Sequence, residues 1–159
     1  MILVLLGTQN NSFHRLLEEI DLCISSKLIN TSVLVQSGYT NYFSNQMIIF
    51  DFIPKQEMKN LINSADFIIT HGGVASIVSS IKSNKKVIAV PRLKQYDEHV
   101  NDHQVQIVNC FNKKNYIKGI LNVSELKNVI STLDDFTPTP YVSQTNKISS
   151  YISNYIENN

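Results

Sequence analysis

Apolar residues in this chain come in short unbroken runs, separated by longer stretches in which they recur at helical spacing. Ile2 to Leu6 is the first run, with no polar side chain inside it, as in a strand covered on both faces. Further runs at Ser32–Gln36, Met47–Phe50, Asp66–Thr70 and Val87–Val90 predict four more strands, and "NYIKGI" predicts a short last one. Phe13, Leu16, Leu17, Ile20 and Ile24 fall on one face of a helix predicted over Phe13–Ser26, with Ser12 as its cap. Helices are also predicted over Gln56–Ser64, from "HGG" to Ser83, over His99–Phe111, from a Ser124 cap to Leu133, and over Gln144–Ile156. "FTPTPY" reads as an extended crossover, because proline biases the residue before it away from helix.

Strands and helices thus alternate throughout, which predicts an α/β fold: a parallel sheet with helices on both faces. Residues 1–143 form one domain in this reading, and 144–159 a tail helix. Ile148, Tyr151, Ile152, Tyr155 and Ile156 share a stripe on that helix, suited either to packing back on its own sheet or to docking on a partner.

Composition narrows the class. The chain has 159 residues, 43% hydrophobic and 17% charged, as expected of one folded domain rather than a disordered segment. A formal net charge of +1 predicts no electrostatic grip on nucleic acid or on anionic membrane. Cys23 and Cys110 are isolated and read as buried thiols in a reducing compartment. "MILVLLG" lacks a basic leader and a cleavage site, so it reads as a first strand, and the protein as cytoplasmic.

Ligands of such sheets bind where the C-terminal ends of strands meet loops. Four of the five glycines, Gly7, Gly38, Gly72 and Gly73, lie at those ends; Gly119 does not. Tight turns need glycine, but four on one rim favour a backbone that a ligand approaches closely. "HGGVAS" joins a strand to a helix, so its amides emerge at a positive helix end, a diphosphate site that needs neither lysine nor metal. It is neither a P-loop nor a dinucleotide fingerprint, since no GK[ST] follows and no acidic residue closes the second strand. His71 fits either a phosphate or sugar contact or a simple strand-end cap. "EHVNDHQ" places His99 and His103 at i and i+4 of a predicted helix, compatible with a metal, with a solvated helix start, or with a polar cluster reading sugar hydroxyls. Val100 stands where a metalloprotease carries its glutamate, and no third ligand is evident, so no metal is expected. Asp102 and Gln104 suit vicinal hydroxyls. Arg92 would neutralise phosphate or pair with Asp97 or Glu98. No GxSxG motif speaks for a hydrolase.

"ADFIITHGG-x-x-S" followed by "KKVIAVPR…EHVNDHQ" resembles the C-terminal domain of family 28 glycosyltransferases, and nearly the whole chain takes part in the resemblance. It is most similar to the small stand-alone version: the catalytic subunits of split capsule and exopolysaccharide β-1,4-galactosyltransferases, and the cytosolic subunits of the dolichol-linked N-acetylglucosaminyltransferase. The resemblance implies a Rossmann-like half of a GT-B fold that binds a UDP-sugar as substrate without a cofactor. It also implies a membrane-anchored partner subunit that brings a lipid-linked acceptor, and a peripheral place at the membrane through that partner. Carried over by position, Gly7, Thr8 and Gln9 would line the diphosphate and the cleft between the halves. The backbone at Phe52 and Ile53 would face uracil. Gly72, Gly73 and Ser76 would hold the diphosphate, and Asp102, His103 and Gln104 would face the donor sugar. Gly38, His71, Arg92, Glu98 and His99 complete the expected donor site. No catalytic base is assigned; His99 and His103 are the substitutes at hand.

The sequence departs from the family pattern at Ala75, where a glycine is usual, and at Ser79, where an acidic residue normally grips the ribose. Losing that charged hydrogen bond would cost about 1.5–3 kcal/mol, or roughly tenfold to a hundredfold in affinity. Two functions remain: inverting sugar transfer from a UDP-sugar, galactose or N-acetylglucosamine, or a non-catalytic subunit that scaffolds the partner.

Overall fold

The computed structural model describes residues 1–143, 150 and 153–156. Six strands are β1 (Ile2–Leu5), β2 (Val33–Gln36), β3 (Ile48–Phe50), β4 (Phe67–His71), β5 (Lys86–Val90) and β6 (Lys118–Gly119). Four helices lie between strands, α1 (His14–Ser25), α2 (Lys55–Ser64), α3 (Val74–Lys82) and α4 (His103–Lys113), and α5 (Leu126–Ser131) follows β6. All pairings are parallel, in the order β3-β2-β1-β4-β5-β6. This is the doubly wound order of a Rossmann sheet, and the expected α/β class holds.

The sheet separates two cores. Ile2, Val4 and Leu6 face one way, against Phe13, Leu17 and Ile20 of the α1 segment and Leu126 of α5. Leu3 and Leu5 face the other, against Ile62 of α2, Ile77 and Ile81 of α3, and Val108 of α4. That alternation explains the continuous apolar run at the start of the chain: both faces of β1 are covered, so neither parity can be polar. Cys23 lies in the first core, and burial raises its thiol pKa to about 11. Cys110 was expected to be buried but is exposed on α4.

Three helix starts differ from expectation. α1 has Phe13, not Ser12, at its N-cap, and no side chain caps it; the Phe13 amide instead donates to Thr40 Oγ1 at 3.1 Å. Asn122, not Ser124, caps the turn before α5, accepting from the Ser124 amide at 3.1 Å while Glu125 reaches back to the Asn122 amide at 3.1 Å. α4 begins at His103 rather than His99. The expected tail helix lies largely outside the described residues, Ile148, Tyr151 and Ile152 among them; Ser150 and residues 153–156 are helical, with Tyr155 and Ile156 exposed. Among the described residues no helix is long and apolar enough to cross a membrane.

Candidate functional site

Strand order reverses direction between β1 and β4, which are neighbours in space although two strands intervene in sequence. A sheet of this kind opens a crevice at such a point, above the C-terminal ends of its strands. The loop after β1 carries Gly7, Thr8 and Gln9, and the loop after β4 carries Gly72 and Gly73. The two glycine loops therefore face one another across the crevice.

α3 starts at Val74 with Gly73 as its N-cap, and no side chain caps it. The first amides of a helix have no acceptor within it, so those of Val74, Ala75 and Ser76 present donors and the positive end of the helix at the rim. His71, only 9% exposed, lies between the loops. A Cβ added at Gly73 would sit 2.2 Å from His71 Nε2, and one at Gly7 2.5 Å from His71 Cε1. Glycine at both positions lets the ring fill the gap. His71 Nδ1 lies 3.1 Å from the Leu5 carbonyl oxygen. Burial, opposed by that bond and aided by the nearby Arg92 and His99, lowers its pKa from 6.5 to about 4. A depressed histidine favours proton binding in the unfolded chain, so this group contributes stability above pH 6.5 that is lost as pH falls towards 4. The loss should reach about 3 kcal/mol; urea unfolding at pH 7 and pH 4.5 measures it, and His71→Asn should flatten this part of the pH dependence.

Beside the β1 loop is a cavity of about 310 Å³, lined by Gly7, Thr8, Gln36, Phe52, Ile53 and Ser76, with Lys55, Ala75 and Ser79 also on its wall. It continues between α2 and α3 into a larger space of about 820 Å³, where Lys59, Lys82 and Ser83 join Lys55 and Ser79. Among the described residues no aspartate or glutamate lines either space. Phe52 packs edge-on against Tyr39 with ring centroids 5.3 Å apart, and both rings are exposed. Ser79 Oγ donates to the Ser76 carbonyl at 3.0 Å, leaving its lone pairs to the cavity. Gly38, with φ of +59°, is packed against the Gly7 carbonyl. It supports the loop from behind rather than lining the cavity.

The rest of the expected site is arranged differently. Arg92 is 0% exposed. It neither faces an open phosphate site nor pairs with the side chain of Asp97 or Glu98. Its Nη2 donates to the Leu6 carbonyl at 2.9 Å and its Nη1 to the Asn11 carbonyl at 2.6 Å, with the Phe13 ring 4.9 Å away. Burial lowers its pKa to about 10, so it remains a cation at neutral pH, and its Nε has no hydrogen-bond partner among the described residues. Glu98 pairs instead with Arg15, whose Nε and Nη2 donate to the two carboxylate oxygens at 2.6 and 2.8 Å. Glu98 also accepts from the Leu93 amide at 3.0 Å. This buried fork makes Glu98 a structural residue rather than a donor ligand, and Glu98→Gln should lower stability by about 1.5 kcal/mol, read as a fall in the urea midpoint.

Gln104 was expected to face the donor sugar, but it is turned inward and 6% exposed. Its Oε1 accepts from the Gly72 amide at 3.2 Å and from the Arg92 amide at 3.0 Å, which fixes the glycine loop to the end of β5. Because α4 starts four positions later than expected, His99 and His103 do not share a helix face. The segment between them is a turn. Asp102 Oδ1 accepts from the Lys94 amide at 2.9 Å, Asn101 Oδ1 from the His103 amide at 3.0 Å, and His99 Nδ1 from the Asn101 amide at 3.2 Å. Such side-chain bonds compete with a helical start. Asp102 and His103 are nevertheless exposed and His99 half-buried. Among the described residues no three histidine, cysteine, aspartate or glutamate side chains converge to hold a metal.

Residues 1–157 match the family described as the glycosyltransferase family 28 C-terminal domain. This chain belongs to that family. Among curated proteins, the UDP-N-acetylglucosamine transferase subunit ALG13 of Candida albicans is 27% identical over 111 residues, which are 70% of this chain and 36% of that protein. The chain therefore spans about a third of the length of that relative. Among solved structures, MurG of Acinetobacter baumannii superimposes with a TM-score of 0.59 at 19% identity, covering 84% of this chain and 40% of its own. A solution structure of ALG13 superimposes with a TM-score of 0.61 at 16% identity, covering 93% of this chain and 92% of its own. At those identities the structures show the fold: this family 28 domain has the parallel architecture of one half of a GT-B glycosyltransferase.

Several wall residues escaped the sequence reading. Gln36 ends β2 buried, accepting from the Gly7 amide at 3.1 Å and donating to the Gly7 and Asp51 carbonyls at 2.9 and 3.0 Å. A polar residue closing an apolar strand was its only signal. Lys55 opens α2 directly after the Phe52–Pro54 rim; its place at a helix start, where cations are unfavourable, marks it in retrospect.

Proposed function

We propose that this domain binds the nucleotide and diphosphate of a UDP-sugar and donates the sugar, galactose or N-acetylglucosamine, to a lipid-linked saccharide. The observation that supports this best is the uncapped α3 N-terminus, facing a glycine loop at the point where the sheet reverses. As the sugar departs, negative charge grows on UDP, and the α3 amides would hold it in the way an oxyanion hole does. Phe52 and Ile53 would take the base, and Ser79 the ribose, with one hydroxyl contact in place of a charged one. Asp102 and His103 would be the groups nearest the sugar. Gln104 and Arg92 would act behind the site by fixing its loops. The relative from Candida albicans is named as a subunit, which supports a partner subunit; in this reading that partner is membrane-anchored, completes the cleft and holds this chain at the cytoplasmic face.

Titration calorimetry with UDP in the presence of a chelator tests the donor site. Saturable binding, at about ten- to a hundredfold lower affinity than a carboxylate at position 79 would give, is the expected result. Ser79→Glu should restore that factor. In the same assay series the isolated chain should transfer little or no sugar, and co-expression with the membrane-anchored subunit should switch transfer on. Robust turnover by the chain alone would overturn the split arrangement. Ser79 also favours a second reading, a non-catalytic subunit that scaffolds the partner; heat-silent titrations with UDP together with an intact complex would establish it.

A further inference from the structure

His71 carries an unused nitrogen at the centre of the crevice. Its Nδ1 is 3.1 Å from the Leu5 carbonyl oxygen, an acceptor only, so Nδ1 bears the ring proton. In the neutral ring Nε2 is then a bare lone pair. It has no hydrogen-bond partner among the described residues, and it points into the gap between Gly7 and the N-cap Gly73. The opposite tautomer would set a lone pair against the Leu5 carbonyl. Thr70 Oγ1, 3.5 Å from Nδ1, gives no relief, since it too is bonded to Leu5 O, at 3.2 Å.

This arrangement has one consequence for an anion. A lone pair repels phosphate oxygens, whereas a proton on Nε2 makes the same atom a charge-assisted donor to them. We infer that His71 takes up one proton when a diphosphate enters the crevice, so that binding of the nucleotide-sugar is coupled to protonation of Nε2. Bulk water supplies the proton, and no covalent bond changes. The charged or titratable groups bearing on the ring are Arg92 and His99, both on the segment between β5 and α4, and both oppose protonation in the free chain. The first turn of α3 adds no acidic residue, and the loop after β1 presents Gly7, Thr8 and Gln9, none of them charged. Glu98, on the His99 loop, is engaged by Arg15. A negative charge strong enough to reverse this balance therefore has to come from the ligand. The inference rests on the reading of the crevice as a diphosphate site.

The test is titration calorimetry with UDP-N-acetylglucosamine and UDP-galactose. Both phosphates of these probes are esterified, so the ligand itself does not titrate near neutrality. Runs at pH 6 and pH 8 in buffers of different ionisation enthalpy count the protons taken up. Uptake approaching one proton per ligand, with affinity falling towards tenfold per pH unit as pH rises, is the expected result, and His14→Asn, on α1 and outside both spaces, should retain it. His71→Asn keeps an amide donor for the Leu5 carbonyl but lacks Nε2; it should bind more weakly and without buffer dependence. Saturable binding by the unmodified chain with no buffer dependence would overturn the inference while leaving the donor site standing, and so would uptake that survives in a folded His71→Asn variant. A folded chain that binds neither probe at either pH would remove the donor site and this coupling with it.

Discussion

Gly38→Ala is expected to lower the thermal midpoint by roughly 10 °C and to abolish measurable UDP binding. Gly38 has a φ of +59°, and an alanine Cβ there would lie 2.3 Å from the Gly7 carbonyl oxygen. A left-handed alanine costs about 1–2 kcal/mol, and the backbone shift needed to relieve the contact adds about 1–3 kcal/mol. At about 2–4 °C per kcal/mol for a domain of this size, the sum gives the stated shift. The obstacle is backbone, which cannot rotate away as a side chain can. The Gly7 carbonyl is also held by Gln36 Nε2 at 2.9 Å, so the strain passes directly into the loop that walls the crevice. Gly119→Ala is the matched control: its Cβ would meet the Val108 and Asn112 side chains, with Val108 Cγ1 nearest at 2.6 Å. It should cost less stability and leave UDP binding intact. Equal midpoints for Gly38→Ala and the unmodified protein would show that the two loops are not tightly packed.

Gln104→Leu should be nearly as severe. One side-chain oxygen there serves two amides, those of Gly72 and Arg92, both buried. Leucine keeps most of the volume and leaves both donors without an acceptor, at about 1–3 kcal/mol each. Urea unfolding should therefore show a loss of about 2–6 kcal/mol, accompanied by weaker UDP binding as the glycine loop loosens. Asp102→Asn, two residues earlier at the α4 N-cap but exposed, should leave stability nearly unchanged. If Gln104→Leu weakened binding with full stability, the side chain would be reaching the ligand after all.

The contrast between those two residues shows where sequence reading succeeds and fails. The strands were legible because burial on both faces leaves a period-free apolar run, and β1 to β5 lie within two residues of the runs that predict them. The glycines were legible because a rim position and a conformational demand coincide at Gly7 and Gly38, both with positive φ. Polar residues were not legible in the same way. Gln104, Arg92 and Glu98 are as hydrophilic as any ligand-binding group, yet each is spent on backbone or on Arg15 inside the protein. Nothing in linear order distinguishes a buried clamp from an exposed contact. The His99–Asp102 turn failed for a related reason. Helical spacing was present, but the side chains of His99, Asn101 and Asp102 capture nearby amides, and Asp97 takes a left-handed φ of 54°.

Arg92 adds a mechanical point. A single guanidinium grips the Leu6 and Asn11 carbonyls on either side of the β1 loop, while the amide of the same residue shares Gln104 with Gly72 of the opposite loop. The two banks of the crevice are thus bolted to one buried post. Parting or closing them like jaws would break those bonds, so whatever covers the crevice has to descend on it from above.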